Sequence, residues 1–344
     1  MKKWCSLLLA LAALACLPAC GGQSAADGSQ VIEFEAQTWR LSCPGGADSP
    51  EGQAAARFAD AVSDATNGAV TVEMLTDHQT TGGDGAAALE AVRTGELDLA
   101  IVSSQEARTL DRRLEAVSLP FLFSSAQEAE TALDGAGGDA LRDVLAEHQL
   151  WCVGIGEEGF RCPTNSTRVV ASPADLQGLK IRVADSPLVE EAYRLWGADC
   201  LTADWPMVFT ALRTGTYDGQ EEPLMTADAA AVQEVQKYLT RWTGIYSCYY
   251  FCMDQSLYDS LSPALRDIAD RCGREAMAEQ RQLHRQRETE ILSDWSRAKV
   301  VVTELTAESA AEFRVLAQPC YDRFAREVSA ELVELLAGDD TGER

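Results

Sequence analysis

Arg182 is the residue best placed to do chemistry in this sequence. It lies in Ser172-Pro-Ala-Asp-Leu-Gln-Gly-Leu-Lys-Ile-Arg-Val183. Leu179, Ile181 and Val183 alternate with Lys180 and Arg182, so a strand here turns its apolar set into a core and the arginine to the other face. A guanidinium held on a strand is a pre-organised fork for a carboxylate. The second informative segment is Asp218-Gly-Gln-Glu-Glu-Pro223. The chemistry implied is capture of an anion, not turnover. No Gly-x-Ser-x-Gly, His-Glu-x-x-His or Walker A pattern is present. His78, His148 and His284 are scattered and form no metal or triad pattern, so neither a metal nor a cofactor is expected. A carboxylate pair for glycoside hydrolysis is compatible with so acidic a chain and stands as the enzymatic alternative.

These residues need a scaffold, and the chain supplies one by alternation. Ser172 suits a helix N-cap, Pro173 the first helical position and Gly178 the exit, so one helical turn feeds the arginine strand. Upstream, 33–42 holds a first strand at Thr38-Trp-Arg-Leu-Ser. A helix is predicted over 50–67, with Ala54, Phe58, Ala61 and Val62 on one stripe and Gly68 as its stop. Strand 69–75, a helix from Asp84 to Gly95 and a buried strand 97–102 follow. Leu119-Pro-Phe-Leu-Phe123 reads as an apolar turn, 126–148 as one helix and 151–155 as a strand. Helices are predicted over 188–196 and 206–213, and Tyr246 to Met253 is an aromatic, strand-like run. Ser262-Pro263 opens a helical stretch to about residue 298, on the order of 50 Å long. Its only glycine is Gly273, so it is one long helix or two broken there. Strand–helix–strand at this rhythm predicts an α/β protein with mainly parallel sheet. Its length suggests two lobes.

The N-terminus addresses the chain to the exterior. Lys2 and Lys3, the apolar run Leu7 to Leu17, and Leu17-Pro-Ala-Cys20 read as a lipoprotein-type secretory signal over 1–19. Cys20 is then the lipidated residue, and 20–30 a flexible tether. The formal net charge is −25, and loss of Lys2 and Lys3 makes it more negative. Such acidity excludes a nucleic-acid partner, which needs a basic footprint. It also repels anionic ligands generally, so a local arginine pair must override the field. Eight cysteines follow Cys20, at 43, 152, 162, 200, 248, 252, 272 and 320. Disulfides and buried thiols both remain open. Cys248 and Cys252 are about 13 Å apart along a strand, too far for a mutual bridge.

From about Trp39 to about Phe324 the chain resembles the extracytoplasmic solute-binding proteins of tripartite ATP-independent periplasmic (TRAP) transporters, the DctP-type family. The likeness rests on Leu179-Lys-Ile-Arg182, Pro50-Glu-Gly, Gly95-Glu-Leu-Asp-Leu-Ala and Pro120-Phe121. It also rests on Gly159-Phe-Arg161 with Thr164-Asn165, on Trp205 to Leu212, and on Gly215-Thr-Tyr-Asp-Gly-Gln-Glu221, in the family's order. The resemblance implies a two-lobed periplasmic-binding-protein-like fold of type II, with mixed, mainly parallel sheets and a long helix bracing both lobes. It places lobe I at 31–158 plus 246–285 and lobe II at 159–245 plus 286–344. It implies that the lobes close by a hinge over a small organic acid or zwitterionic carboxylate and deliver it to TRAP membrane subunits. Arg182 would clamp the carboxylate, with Arg161 as second cation, Trp205 as an aromatic wall and Ser103 as a polar contact from the other lobe. An ABC-type binding protein and a ligand-sensing receptor share the same two-lobe logic. Glu222 departs from the family, which usually has Asn there. A carboxylate at that point has three readings: it pairs with Arg161 or Arg182, it meets a cationic group on the ligand, or the pocket no longer takes a simple acid. The second reading, an amine-bearing ligand, is slightly preferred on sequence.

Overall fold

Strands and helices alternate along the chain in the computed structural model, which describes residues 33–203 and 205–338. The lipoprotein signal, Cys20 and the tether lie outside the described residues. The strands are β1 (Gln37–Ser42), β2 (Val70–Leu75), β3 (Leu99–Ser103), β4 (Leu150–Asn165), β5 (Lys180–Val183), β6 (Asp199–Thr202), β7 (Gly219–Pro223), β8 (Tyr238–Arg241), β9 (Tyr246–Asp254) and β10 (Val301–Glu304). Their main path is β2-β1-β3-β9-β4-β7-β5-β6, with β8 paired to β4 and β10 to β8. The β1–β2 and β1–β3 ladders are parallel, and β9 runs antiparallel between β3 and β4. Beyond that point β4 is antiparallel to β7 and β8, while β5–β6, β5–β7 and β8–β10 are parallel. One strand, β4, therefore belongs to two sections of sheet.

The helices cover both sections. The first group is α1 (Pro50–Ala65), α2 (Gly85–Arg93), α3 (Ser104–Ala107), α4 (Ala126–Asp134) and α5 (Ala136–Glu147). Then come α6 (Pro173–Leu176), α7 (Pro187–Leu195), α8 (Trp205–Thr214) and α9 (Leu224–Ala229). The last are α10 (Gln255–Ser260), α11 (Pro263–Arg297), α12 (Ala307–Leu316), α13 (Gln318–Phe324) and α14 (Ala330–Ala337). Local chemistry sets their starts. Ser49 accepts the Gly52 N–H and Pro50 takes the first position of α1, while Asp84 accepts the Ala87 N–H at α2. The buried stripe of α1 includes Ala54, Phe58 and Val62, as its spacing requires. β3 and β9 are buried along their whole length, which suits unbroken apolar runs inside a sheet covered on both faces.

α11 is a single helix of 35 residues, unbroken at Gly273. The glycine is there for closeness: a Cβ on it would meet the Val153 carbonyl oxygen at 2.7 Å. The contact is reciprocal along β4. Cβ atoms on Gly154, Gly156 and Gly159 would collide with Met277, Gln280 and His284, at 2.7, 2.7 and 2.6 Å. These three glycines have the spacing of a dinucleotide-binding fingerprint, but they lie inside a strand and serve helix packing. Farther on, α11 reaches the second section, where Trp295 Nε1 donates to Asp228 of α9 at 2.8 Å.

Two sequence expectations are corrected. The helix predicted over 126–148 is two helices, because the chain leaves helical geometry at Gly135. The strand predicted over 151–155 runs to Asn165. Near the C-terminus α14 packs on α4 and α5, and a Cβ on Gly137 would lie 2.7 Å from Leu336.

Candidate functional site

β4 changes partners where the site begins. Its ladder with β9 shifts register between Glu157 and Gly159, and Gly159 takes φ +94°. A bulge of this kind re-aims side chains. The Glu157 carboxylate meets Arg285 of α11 at 2.6 Å. Glu158 instead accepts a short hydrogen bond from Ser247 Oγ on β9, and Ser247 lies 3.0 Å from Ser104 Oγ. After the bulge comes Arg161, only 2% exposed. Its backbone carbonyl accepts from Trp242 Nε1 at 2.7 Å.

Three adjacent strands bring the charged groups together. Arg161 Nε donates to Glu221 Oε2 at 2.7 Å and Nη2 to Oε1 at 3.1 Å. The same Nη2 lies 2.6 Å from Glu222 Oε2. Glu222 Oε1 accepts a short hydrogen bond from Arg182 Nη1, so one carboxylate spans both guanidinium groups. Glu221 Oε1 also accepts the Ala184 N–H at 2.7 Å. The other edge of Arg182, Nε and Nη2, donates to a single backbone acceptor, the Ala203 carbonyl, at 3.2 and 3.1 Å. Its guanidinium sits over the Trp205 ring, 5.3 Å from the centroid.

The electrostatics follow from burial. Burial opposes the charge on Arg161, but the carboxylates of Glu221 and Glu222 more than offset it and hold the guanidinium ionised, above its usual range. Burial pushes the Glu158 carboxyl up to about 8, against the pull of Arg161 and Ser247 and helped by the charges of Glu222 and Glu106. Glu158 is therefore protonated at neutral pH. Tyr249 is raised well above its ordinary value, first by burial and then by Glu51, Glu158, Glu106 and Glu222, so its phenol stays neutral.

The sequence-derived residues divide. Arg161, Arg182, Glu222 and Trp205 converge. Arg161 pairs with Glu221 and Glu222. Glu222 makes the pairing of the first of its three readings, with one oxygen on each arginine. Ser103, opposite Tyr249 in the β3–β9 ladder, caps α3: its hydroxyl donates to Glu106 Oε2 at 2.9 Å and accepts the Glu106 N–H at 3.2 Å, and its own N–H donates to the same carboxylate oxygen. Sequence reasoning missed Glu158, Glu221, Ser247 and Tyr249. The signal available was two Glu-Glu pairs in segments that gain nothing from burying charge. A cavity of about 930 Å³ lies apart from this cluster, against Phe160, Cys162, Trp242, Arg285, Glu288 and Arg314. No described group of His, Cys, Asp or Glu is arranged to hold a metal ion.

Comparison with known proteins gives one consistent answer. Residues 43–327 match the family model for the bacterial extracellular solute-binding proteins of family 7, DctP. The 2,3-diketo-L-gulonate-binding periplasmic protein YiaO of Escherichia coli K12 is 31% identical over 276 residues, covering 80% of this chain and 83% of that protein. A TRAP periplasmic solute-binding protein of Ochrobactrum anthropi, its C-terminus bound in the ligand pocket, superposes with a TM-score of 0.84. It is 29% identical, with 88% of this chain and 94% of that one covered. The sugar acid binding protein DctPAm of Advenella mimigardefordensis, in complex with galactonate, gives a TM-score of 0.80 at 28% identity, covering 89% and 98%.

Proposed function

This chain belongs to the bacterial extracellular solute-binding proteins of family 7, and from that premise we propose that it captures a small carboxylate-bearing solute between its two lobes and delivers it to TRAP membrane subunits. The observation that carries the proposal is the convergence of two buried guanidinium groups on a single carboxylate, Glu222. The ligands of two relatives, 2,3-diketo-L-gulonate and galactonate, are sugar acids and support the same class. The solute carboxylate takes the edge of Arg182 now held by the Ala203 carbonyl, because a bidentate anion is a far better partner for that edge than one neutral oxygen. Trp205 walls the solute, and protonated Glu158 donates to one of its oxygens.

The lobes are 31–158 plus 246–285 and 159–245 plus 286–329, with α14 returning to the first. Closure hinges where β4 changes partners and is favoured by whatever contacts the solute makes only in the closed state. The chain is held at the membrane by lipid on Cys20; among the described residues no helix is long and apolar enough to cross a bilayer.

The test is calorimetric titration of the protein, stripped of co-purifying solute by unfolding and refolding, against sugar acids, dicarboxylates, amino acids and neutral sugars. Binding confined to acids, weakened roughly a hundredfold in Arg182→Ala, is the expected result. Binding of neutral sugars with Arg182→Ala unaffected overturns the proposal.

A further inference from the structure

All eight described cysteines are free, and two of them face each other in the sheet. Cys152 of β4 and Cys252 of β9 are Cα partners in an antiparallel ladder; in no other described strand ladder does a cysteine oppose a cysteine. Directly opposed residues in such a ladder have Cα atoms about 4.5 or 5.5 Å apart, according to whether the pair is hydrogen-bonded. Both distances fall within the roughly 4.4–6.8 Å that a disulfide spans. Cys152 Sγ donates to the Gly154 carbonyl at 3.2 Å. The ladder shifts register immediately afterwards, between Cys152 and Gly154. A bulge there gives the strand local twist with which to meet the torsion of a bridge.

We infer that Cys152 and Cys252 form a dithiol–disulfide site, oxidised when the chain folds outside the cytoplasm. The grounds are the extracellular family to which the chain belongs and the ladder register, and neither depends on which solute is bound. The two thiols lose two protons and two electrons and gain one S–S bond. The oxidant is a disulfide-bearing thiol oxidase of the cell envelope, whose own disulfide is reduced to a dithiol. Cys152 is the attacking sulfur because it is the member with access: it is 7% exposed, and Cys252 is fully buried. Cys152 lines a cavity of about 420 Å³ between β4 and α11, beside Trp151, Arg274, Met277 and Arg281.

The bond joins β4 and β9 near the ends remote from Glu158 and Ser247, and closes a loop of about a hundred residues. Oxidation therefore changes stability and leaves solute affinity alone. The experiment maps cysteines in the full chain exported to an oxidising compartment, by alkylation under non-reducing conditions, digestion and mass spectrometry. A linked peptide pair carrying Cys152 and Cys252, about two mass units below the reduced sum because two hydrogens are lost, is expected. Reduction should lower the thermal midpoint by several degrees, and should not do so in Cys152→Ala/Cys252→Ala. Quantitative alkylation of both cysteines, in exported protein and after incubation with oxidised glutathione, overturns the inference, as does linkage of either one to another cysteine. The mapping is done on the natural chain, so its outcome does not depend on whether a variant folds.

Discussion

Two arginine clusters sit on opposite sides of the β4 bulge, and they are built differently. On the α11 side, Arg281 and Arg285 are served by three carboxylates: Asp134, Glu130 and Glu157. Arg281 meets Asp134 at 2.8 Å and Arg285 meets Glu130 at 2.8 Å and Glu157 at 2.6 Å. Each arginine also has a backbone carbonyl, Ile155 for one and Ala126 for the other. On the other side, Arg161 and Arg182 have two carboxylates between them and share one. Arg182 completes its shell with a neutral carbonyl from the loop before α8. The first cluster is a clamp of helix on strand, fully supplied with anions. The second is supplied just to neutrality, with one edge on an acceptor that an incoming carboxylate outcompetes.

The largest effect should separate the two clusters outright. Arg182→Ala is expected to weaken acid binding roughly a hundredfold, about 3 kcal/mol, with a small change in unfolding midpoint. Arg281→Ala should do the reverse: a loss of about 2 kcal/mol in stability, because the buried Ile155 carbonyl loses its donor, with affinity retained. Paired calorimetric titrations and chemical denaturation of the two variants decide this. If Arg281→Ala lost affinity as severely as Arg182→Ala, the contrast drawn between the clusters would be wrong.

The contrast also explains what was legible in the sequence. β3 and β9 announce themselves because burial and strand geometry both favour Val, Ile, Phe and Tyr. Arg182 was legible for the same reason in reverse, as a charge alternating with Leu179, Ile181 and Val183. β7 was not. Gly219-Gln-Glu-Glu-Pro223 has no alternating apolar pattern to mark a strand, yet all five residues are buried, between β4 and β5. Its side chains find partners distant in sequence: Gln220 Nε2 donates to Thr164, Glu221 meets Arg161 and Ala184, and Glu222 meets two arginines, while Gln220 Oε1 stays without a partner. Glu158 was hidden likewise: strand alternation turns it away from Glu157, toward Ser247 of β9, a partner far away in sequence. The break at Gly135 and the return of α14 are packing outcomes without a periodic signal. At Ser103 the polar residue at a strand end suggested a ligand contact, while the Ser-x-x-Glu spacing that makes it the cap of α3 went unread.

Glu222→Asn sharpens the comparison by removing the shared anion. Freed of a competing carboxylate, the two guanidinium groups should bind plain acids about tenfold more tightly, about 1.4 kcal/mol. Measured against matched hydroxy and amino acids, the gain should favour the acids without an amine. Weaker binding of plain acids would instead mean that Glu222 is needed to aim Arg161 and Arg182.

A pH series addresses the neutral member of the site. The Glu158 carboxyl is raised in the folded protein to about 8, so between its unfolded value and about 8 the folded state holds the extra proton. The stabilisation is full below the unfolded value and is lost as pH rises through about 8. Above that point an ionised Glu158 also faces the solute, and affinity should fall about tenfold for each further pH unit. Glu158→Gln, which stays neutral, should flatten both profiles. Unchanged slopes in that variant would assign the titration to another group.

The smallest expected effect is at Trp205, and it tests whether the aromatic ring acts on the solute or on the arginine. The ring lies 5.3 Å from the Arg182 guanidinium, so part of its contribution goes to the arginine rather than to the solute. Trp205→Ala should therefore cost only about fourfold in affinity, the scale of one cation–π contact at a partly exposed site. Trp205→Phe, which keeps a π face, should recover most of the loss if the ring acts on Arg182. A solute that stacks on the indole itself would lose more in both variants, and lose it in proportion to its own apolar area. Titrating one short and one long acid against the two variants distinguishes these outcomes.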